Sequence, residues 1–166
     1  MTVTNEILLF QKALHTFKKA IMYFDAALND PEHYHGYKPT IRDGRNISLK
    51  NLAMCHARKA NYDGAASCYR LLAQWCVDDS WRVEKMPDFL LLSAVFALAS
   101  GNITRARHSL SCVKSEEAAM GLLIGLTRCV QNKDKQGYDA LMSKSADIVQ
   151  QFDELAQAAL KAARPM

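Results

Sequence analysis

The residues best suited to chemistry crowd into Glu32-His33-Tyr34-His35-Gly36-Tyr37, where two imidazoles one residue apart could share a metal with Asp30 or Glu32. Structural zinc takes a closed tetrahedral set of four ligands, and this one is looser. The segment therefore reads first as a surface loop, then as a partner contact, and last as a metal site. Cys55-His56 invites a nucleophile–base reading, but adjacent helix residues point about 100° apart and cannot pair directly, so both read as core. Asp78-Asp79 and Glu116-Glu117 resemble paired carboxylates at helix ends, where capping accounts for them. Gly36 and Gly44 form no GxxxxGK[ST] phosphate loop. Trp75 and Trp81 read as core first and as interface anchors second. No catalytic set, metal or cofactor is expected, so the chain reads as a non-enzyme.

The elements that must position these residues are helical. Small-to-large pairs four residues apart, Ala20/Phe24, Ala65/Tyr69 and Ala106/Leu110, mark the second helix of a hairpin: the alanine admits a neighbouring helix and the large residue fills the gap one turn on. Before the second and third pairs come first-helix patterns (Leu49, Leu52, Ala53, His56; Leu90, Ser93, Ala94, Ala97) and the turns Asn61-Tyr62-Asp63-Gly64 and Ser100-Gly101-Asn102. Residues 5–28 show helical periodicity without Gly or Pro, which allows one long helix in place of a hairpin. A loop is expected from Asn29 to about Arg45, then helices near 46–59 with Ile47, Cys55 and His56 inward, 63–76 capped by Asp63, 88–100, 104–113, a helix opened by Ser115 and running to 131, 135–149 and 152–163. Gly121 and Gly125 read as a close helix contact. The expected architecture is all-α: an α-solenoid of seven or eight helices, one domain over 1–166, with a long helix and loop to residue 45 and stacked hairpins beyond.

Composition fits that frame. The 166 residues are 49% hydrophobic and 23% charged, ordinary for a globular domain. The net charge of +4 divides into +5 over residues 1–114 and −1 over 115–166. Such a front attracts acidic protein surfaces or anionic lipid heads at a membrane periphery, and falls short of the dense basic stripe of a nucleic-acid binder. Five Cys without paired spacing read as buried free thiols of a reducing compartment. No signal-type start is apparent, and 89–99, the longest nearly apolar run, is about half a bilayer span. A cytoplasmic location is the expectation.

The second half resembles the soluble NSF attachment proteins, the SNAP adaptors of vesicle fusion. The likeness runs from about residue 47 to 163 through Met86-Pro87-Asp88-Phe89, Thr104-Arg105-Ala106-Arg107, an acid-started helix over 116–131, the Gln131-Asn132 turn before Tyr138, and Phe152-Asp153-Glu154. The huntingtin-associated TPR-like proteins are similar at several of the same positions, including Asn132-Lys133-Asp134. The resemblance implies a SNAP-like, TPR-like fold and a protein–protein adaptor with a SNARE-type helical bundle and an NSF-type ATPase as partners. The huntingtin-associated type implies instead a structural subunit beside a large scaffold protein. Carried over by position, Leu160 matches a leucine that stimulates the ATPase, while Lys161 stands where the family has a second leucine. Arg58, Lys59, Arg70 and Arg105 correspond in kind to basic residues that hold the SNARE bundle.

Overall fold

The computed structural model describes residues 3–30, 35–78, 82–113 and 118–166; the readings placed on His33, Trp81 and Ser115 to Glu117 fall outside them. The described chain is all-α, with no strand. Its nine helices are α1 (Val3–Leu28), α2 (Lys38–Arg58), α3 (Tyr62–Asp78), α4 (Met86–Ala99), α5 (Ile103–Ser111), α6 (Ala118–Asn132), α7 (Lys135–Lys144), α8 (Ala146–Val149) and α9 (Glu154–Ala162).

The first of the three alanine pairs is not in the second helix of a hairpin but in the first, α1, which packs along α2. Nothing in the sequence breaks α1, so Ala20 and Phe24 lie on one continuous helix and are only half-buried. Phe24 packs on α2 at Gly44, where a Cβ would lie 2.6 Å from the ring. The expected loop up to Arg45 is also corrected: helix begins at Lys38, with Pro39 in the first turn, a position that suits its fixed φ. Starting the helix earlier sets its inward stripe through Ile41, Arg45, Leu49 and Leu52, leaving Ile47 59% exposed rather than inward. Arg45 is buried, its guanidinium 3.7 Å from the Trp75 ring centroid and 3.4 Å from Asp25 Oδ1, so one side chain ties α1, α2 and α3 together. Trp75 is thereby half-buried and packed against the core.

One turn recurs three times. Ala60, Gly101 and Lys133 take left-handed backbone at φ 54°, 75° and 55°. Each is followed by a residue whose N–H reaches back five positions: Asn61 to His56, Asn102 to Ala97, Asp134 to Cys129, at 2.8–2.9 Å. The same residue then caps the next helix, accepting from Gly64, Arg105 and Gly137 respectively. A helix stop of the Schellman kind is thus fused to an Asx cap. The cap of α3 is Asn61 and not Asp63. The third member of the series is Asp134, so the α6–α7 hairpin takes the place expected of Ala20.

The core gathers around α4, which is apolar on every side and packs against α3, α5, α6 and α9. Ala65, Ala94 and Ala106 are fully buried, and the Tyr69 ring stacks on Phe96 with centroids 5.5 Å apart. Ser93 Oγ donates to Ala66 O at 3.0 Å and accepts from Ser109 Oγ at 3.1 Å, satisfying the polar atoms where α3, α4 and α5 meet. The stretch expected as one helix over 135–149 is interrupted at Ser145. Gly125 makes a close contact with Leu141, whereas Gly121 faces open space. Beyond α8 the chain returns, and α9 packs across α4 and α2 rather than only on its sequence neighbours.

Candidate functional site

Two of the six residues singled out in sequence come together. Arg70 on α3 and Arg105 on α5 line one open groove of about 600 Å³, together with Ser67, Leu71, Gln74 and His108. The groove exists because Ala65 and Ala106 let the helices below approach while the longer side chains on the outer turns stand apart. Arg105 is fixed from below: its Nη1 donates to Asp63 Oδ1 at 2.7 Å and to Ser67 Oγ at 2.9 Å, and its backbone N–H is held by the Asn102 cap. Arg70 Nη2 is hydrogen-bonded to His108 Nε2, tying α3 to α5 across the groove. The other terminal nitrogen of Arg70, Nη1, is buried and has no hydrogen-bond partner.

A second groove of about 300 Å³ flanks the other side of α5, with Arg107 and Arg128 beside Met120 and Ile124. Arg107 donates to Gln131 Oε1, linking α5 to α6. Among the described lining residues of the two grooves there is no carboxylate. Four arginines therefore line the grooves on the two sides of α5, Arg105 being paired with Asp63, and the lining carries net positive charge. Arg107, Arg128 and His108 were not singled out in sequence; the signal available was that Arg105 and His108, three apart, share a helix face.

The remaining candidates lie elsewhere. Arg58 and Lys59 are exposed at the end of α2, away from the groove lining, with Lys59 Nζ 4.8 Å above the Phe10 ring of α1. Leu160 is fully buried, and its carbonyl accepts a 2.6 Å hydrogen bond from Tyr138 Oη. Its side chain is core, which removes it as a contact for an ATPase. Trp81 is outside the described residues.

Cys55 and His56 form no reactive pair. His56 Nδ1 accepts from Asn61 Nδ2 at 3.0 Å, and burial, with Lys18 adding to it, pushes its pKa below the ordinary value. Burial pushes the Cys55 and Cys129 thiols up, and Cys68 to about 11, the reverse of an activated thiolate. No group of three His, Cys, Asp or Glu among the described residues is placed to hold a metal. No helix among them is long and apolar enough to cross a membrane.

What the fold and groove define is a helical-hairpin protein with an arginine-lined surface. No family model, characterised protein or solved structure matches the chain.

Proposed function

We propose that the protein is a non-catalytic adaptor, a TPR-like, SNAP-like stack of helical hairpins whose grooves beside α5 bind an acidic helical or extended segment of a partner protein. The observation that carries this reading is the lining of the two grooves, which holds Arg70, Arg105, Arg107 and Arg128 and no carboxylate among its described residues, a balance that an acidic partner segment would match. The threefold repeat of one turn supports the hairpin stack, and the resemblance to the SNAP adaptors supports a SNARE-type bundle and an NSF-type ATPase as the partners. The test is retention of a purified SNARE bundle and of an NSF-type ATPase on the immobilised chain at low and moderate salt. Binding should weaken with salt and fall by about tenfold in Arg70→Glu, the cost of one charge-assisted contact. Retention of neither partner, or retention indifferent to the charge reversal in a variant with unchanged helicity, removes the trafficking reading.

A second reading, a permanent subunit of a larger assembly, is favoured by the outer face of α1. Leu8, Leu9, Met22 and Tyr23, each at least half exposed, lie along the side of α1 turned away from α2. End elements of a helical stack ordinarily present polar outer faces. A subunit of this kind aggregates when expressed alone and becomes monodisperse when Leu9 and Met22 are replaced by Lys, whereas a free adaptor is monodisperse from the start.

A further inference from the structure

α1 packs along α2, and the side turned away from α2 is open. Two apolar pairs stand on it, Leu8 with Leu9 and Met22 with Tyr23, and between them lie Lys12, Lys18 and Lys19, all exposed. Lys19 Nζ is 6.0 Å from the centroid of the Tyr23 ring. Arg58 and Lys59, exposed at the end of α2, extend the same charge, Lys59 reaching over Phe10 of α1. From Leu8 to Leu28 the only carboxylate is Asp25, which is half-buried and paired with Arg45 of α2. The open side of α1 is thus cationic and apolar together, with no acid to balance it.

Such a face matches an occupant that is anionic and apolar at once. Shape then separates a protein from a lipid surface. Protein partners anchor a few side chains in pockets, but these residues stand on one convex helix and line neither groove beside α5. A bilayer yields around a convex row. The cations of α1 from Leu8 onward are all lysines, compact charges on flexible stems that reach headgroup phosphates while the stems lie on apolar surface. A tyrosine beside them suits the boundary between headgroups and acyl chains. Fourteen residues separate Leu8 from Met22, about 21 Å of helix, so the two apolar pairs hold the axis parallel to a membrane. We infer that the open side of α1 lies on an anionic bilayer surface, its lysines among the headgroups and its apolar pairs at the edge of the acyl chains. Lipid thus takes the place that a neighbouring subunit holds in the second reading, and the inference is independent of the arginine grooves.

The test is flotation of the full chain through a density gradient with vesicles of phosphatidylcholine, alone or mixed with phosphatidylserine; any aggregate stays at the bottom. The chain floats with the anionic vesicles and not with the neutral ones, and added salt releases it. Lys19→Gln weakens partitioning about fivefold, the worth of one basic residue at an anionic surface. Leu9→Ser with Met22→Ser weakens it by at least about tenfold. These side chains are exposed, so helicity and Tm stay as in wild type. Tyr23→Trp reads the contact directly: its emission is quenched by lipids brominated in the upper acyl chain, above the background from Trp75 and Trp81. Arg70→Glu floats as wild type does, so failure here and failure of the arginine-groove reading are separable. The inference is overturned if the chain floats with neither vesicle, or if it floats undiminished after Lys12, Lys18 and Lys19 are all replaced by Gln. It is equally overturned if Arg70→Glu, and not the α1 variants, releases the chain, or if Tyr23→Trp emission is indifferent to brominated lipid. A chain that aggregates alone, disperses as Leu9→Lys with Met22→Lys and never floats overturns it in favour of the subunit reading.

Discussion

At the scale of single residues, His56 shows how a side chain suggestive of chemistry is absorbed by structure. Its Nδ1 accepts the Asn61 amide, and a Cβ on Gly64 would lie 2.8 Å from the same nitrogen, so the ring is wedged into the α2–α3 turn in its neutral form. Burial first and Lys18 second hold its pKa below the ordinary histidine value of 6.5. The unfolded chain therefore takes up the proton first as pH falls, and stability present above about pH 6.5 drains away as pH drops through that value toward the folded pKa. His56→Gln keeps a side-chain acceptor and does not titrate. Its Tm should fall less than that of wild type between pH 7 and pH 5, measured by thermal melts on both proteins. Sequence spacing was enough to separate Cys55 from His56. It did not disclose the role of Asn61, because that depends on which way the chain turns after Ala60. The burial of Asn46 was invisible for a related reason: it was read as the first residue of a helix, where a buried amide is not expected, and it lies in the middle of one.

At the scale of elements, the repeated turn makes a sharp comparison. Ala60 and Gly101 occupy the same place in two copies, both with left-handed backbone, but only glycine takes it without a steric cost. Ala60→Gly should raise stability by roughly 0.5–1 kcal/mol, and Gly101→Ala should lower it by about 1–2 kcal/mol. Chemical denaturation of the two variants checks both, and equal signs would mean the turns are not equivalent. The helices with fully buried alanines were legible: Ala65 and Ala106 lie at tight contacts, where small residues four positions before Tyr69 and Leu110 placed them. The α1 pair was misread because its spacing is the same while its context is not. An uninterrupted amphipathic helix repeats small and large residues at that interval without any hairpin. The start of α2 was missed because Pro39 and Gly44 are loop-forming residues by type, yet one sits in a first turn and the other makes room for Phe24.

At the scale of the whole molecule, the return of α9 onto α4 and α2 is what single-sequence periodicity could not supply, since a helix's pattern shows that it has a buried face and not what covers it. Leu160 illustrates the difference. A partner-facing leucine can be truncated with little effect on the fold, whereas this one is fully buried and its helix is tied to Tyr138. Leu160→Ala should cost about 2–5 kcal/mol and increase binding of a dye that reports exposed apolar surface; an unchanged melting curve would contradict the packing of α9. The same arrangement bears on how the protein is made. The segment that shields one flank of α4 lies more than fifty residues downstream of it, so during synthesis that greasy helix leaves the ribosome well before its cover. For that interval the nascent chain presents a surface that chaperones recognise, and its vulnerability ends only when the last helix arrives.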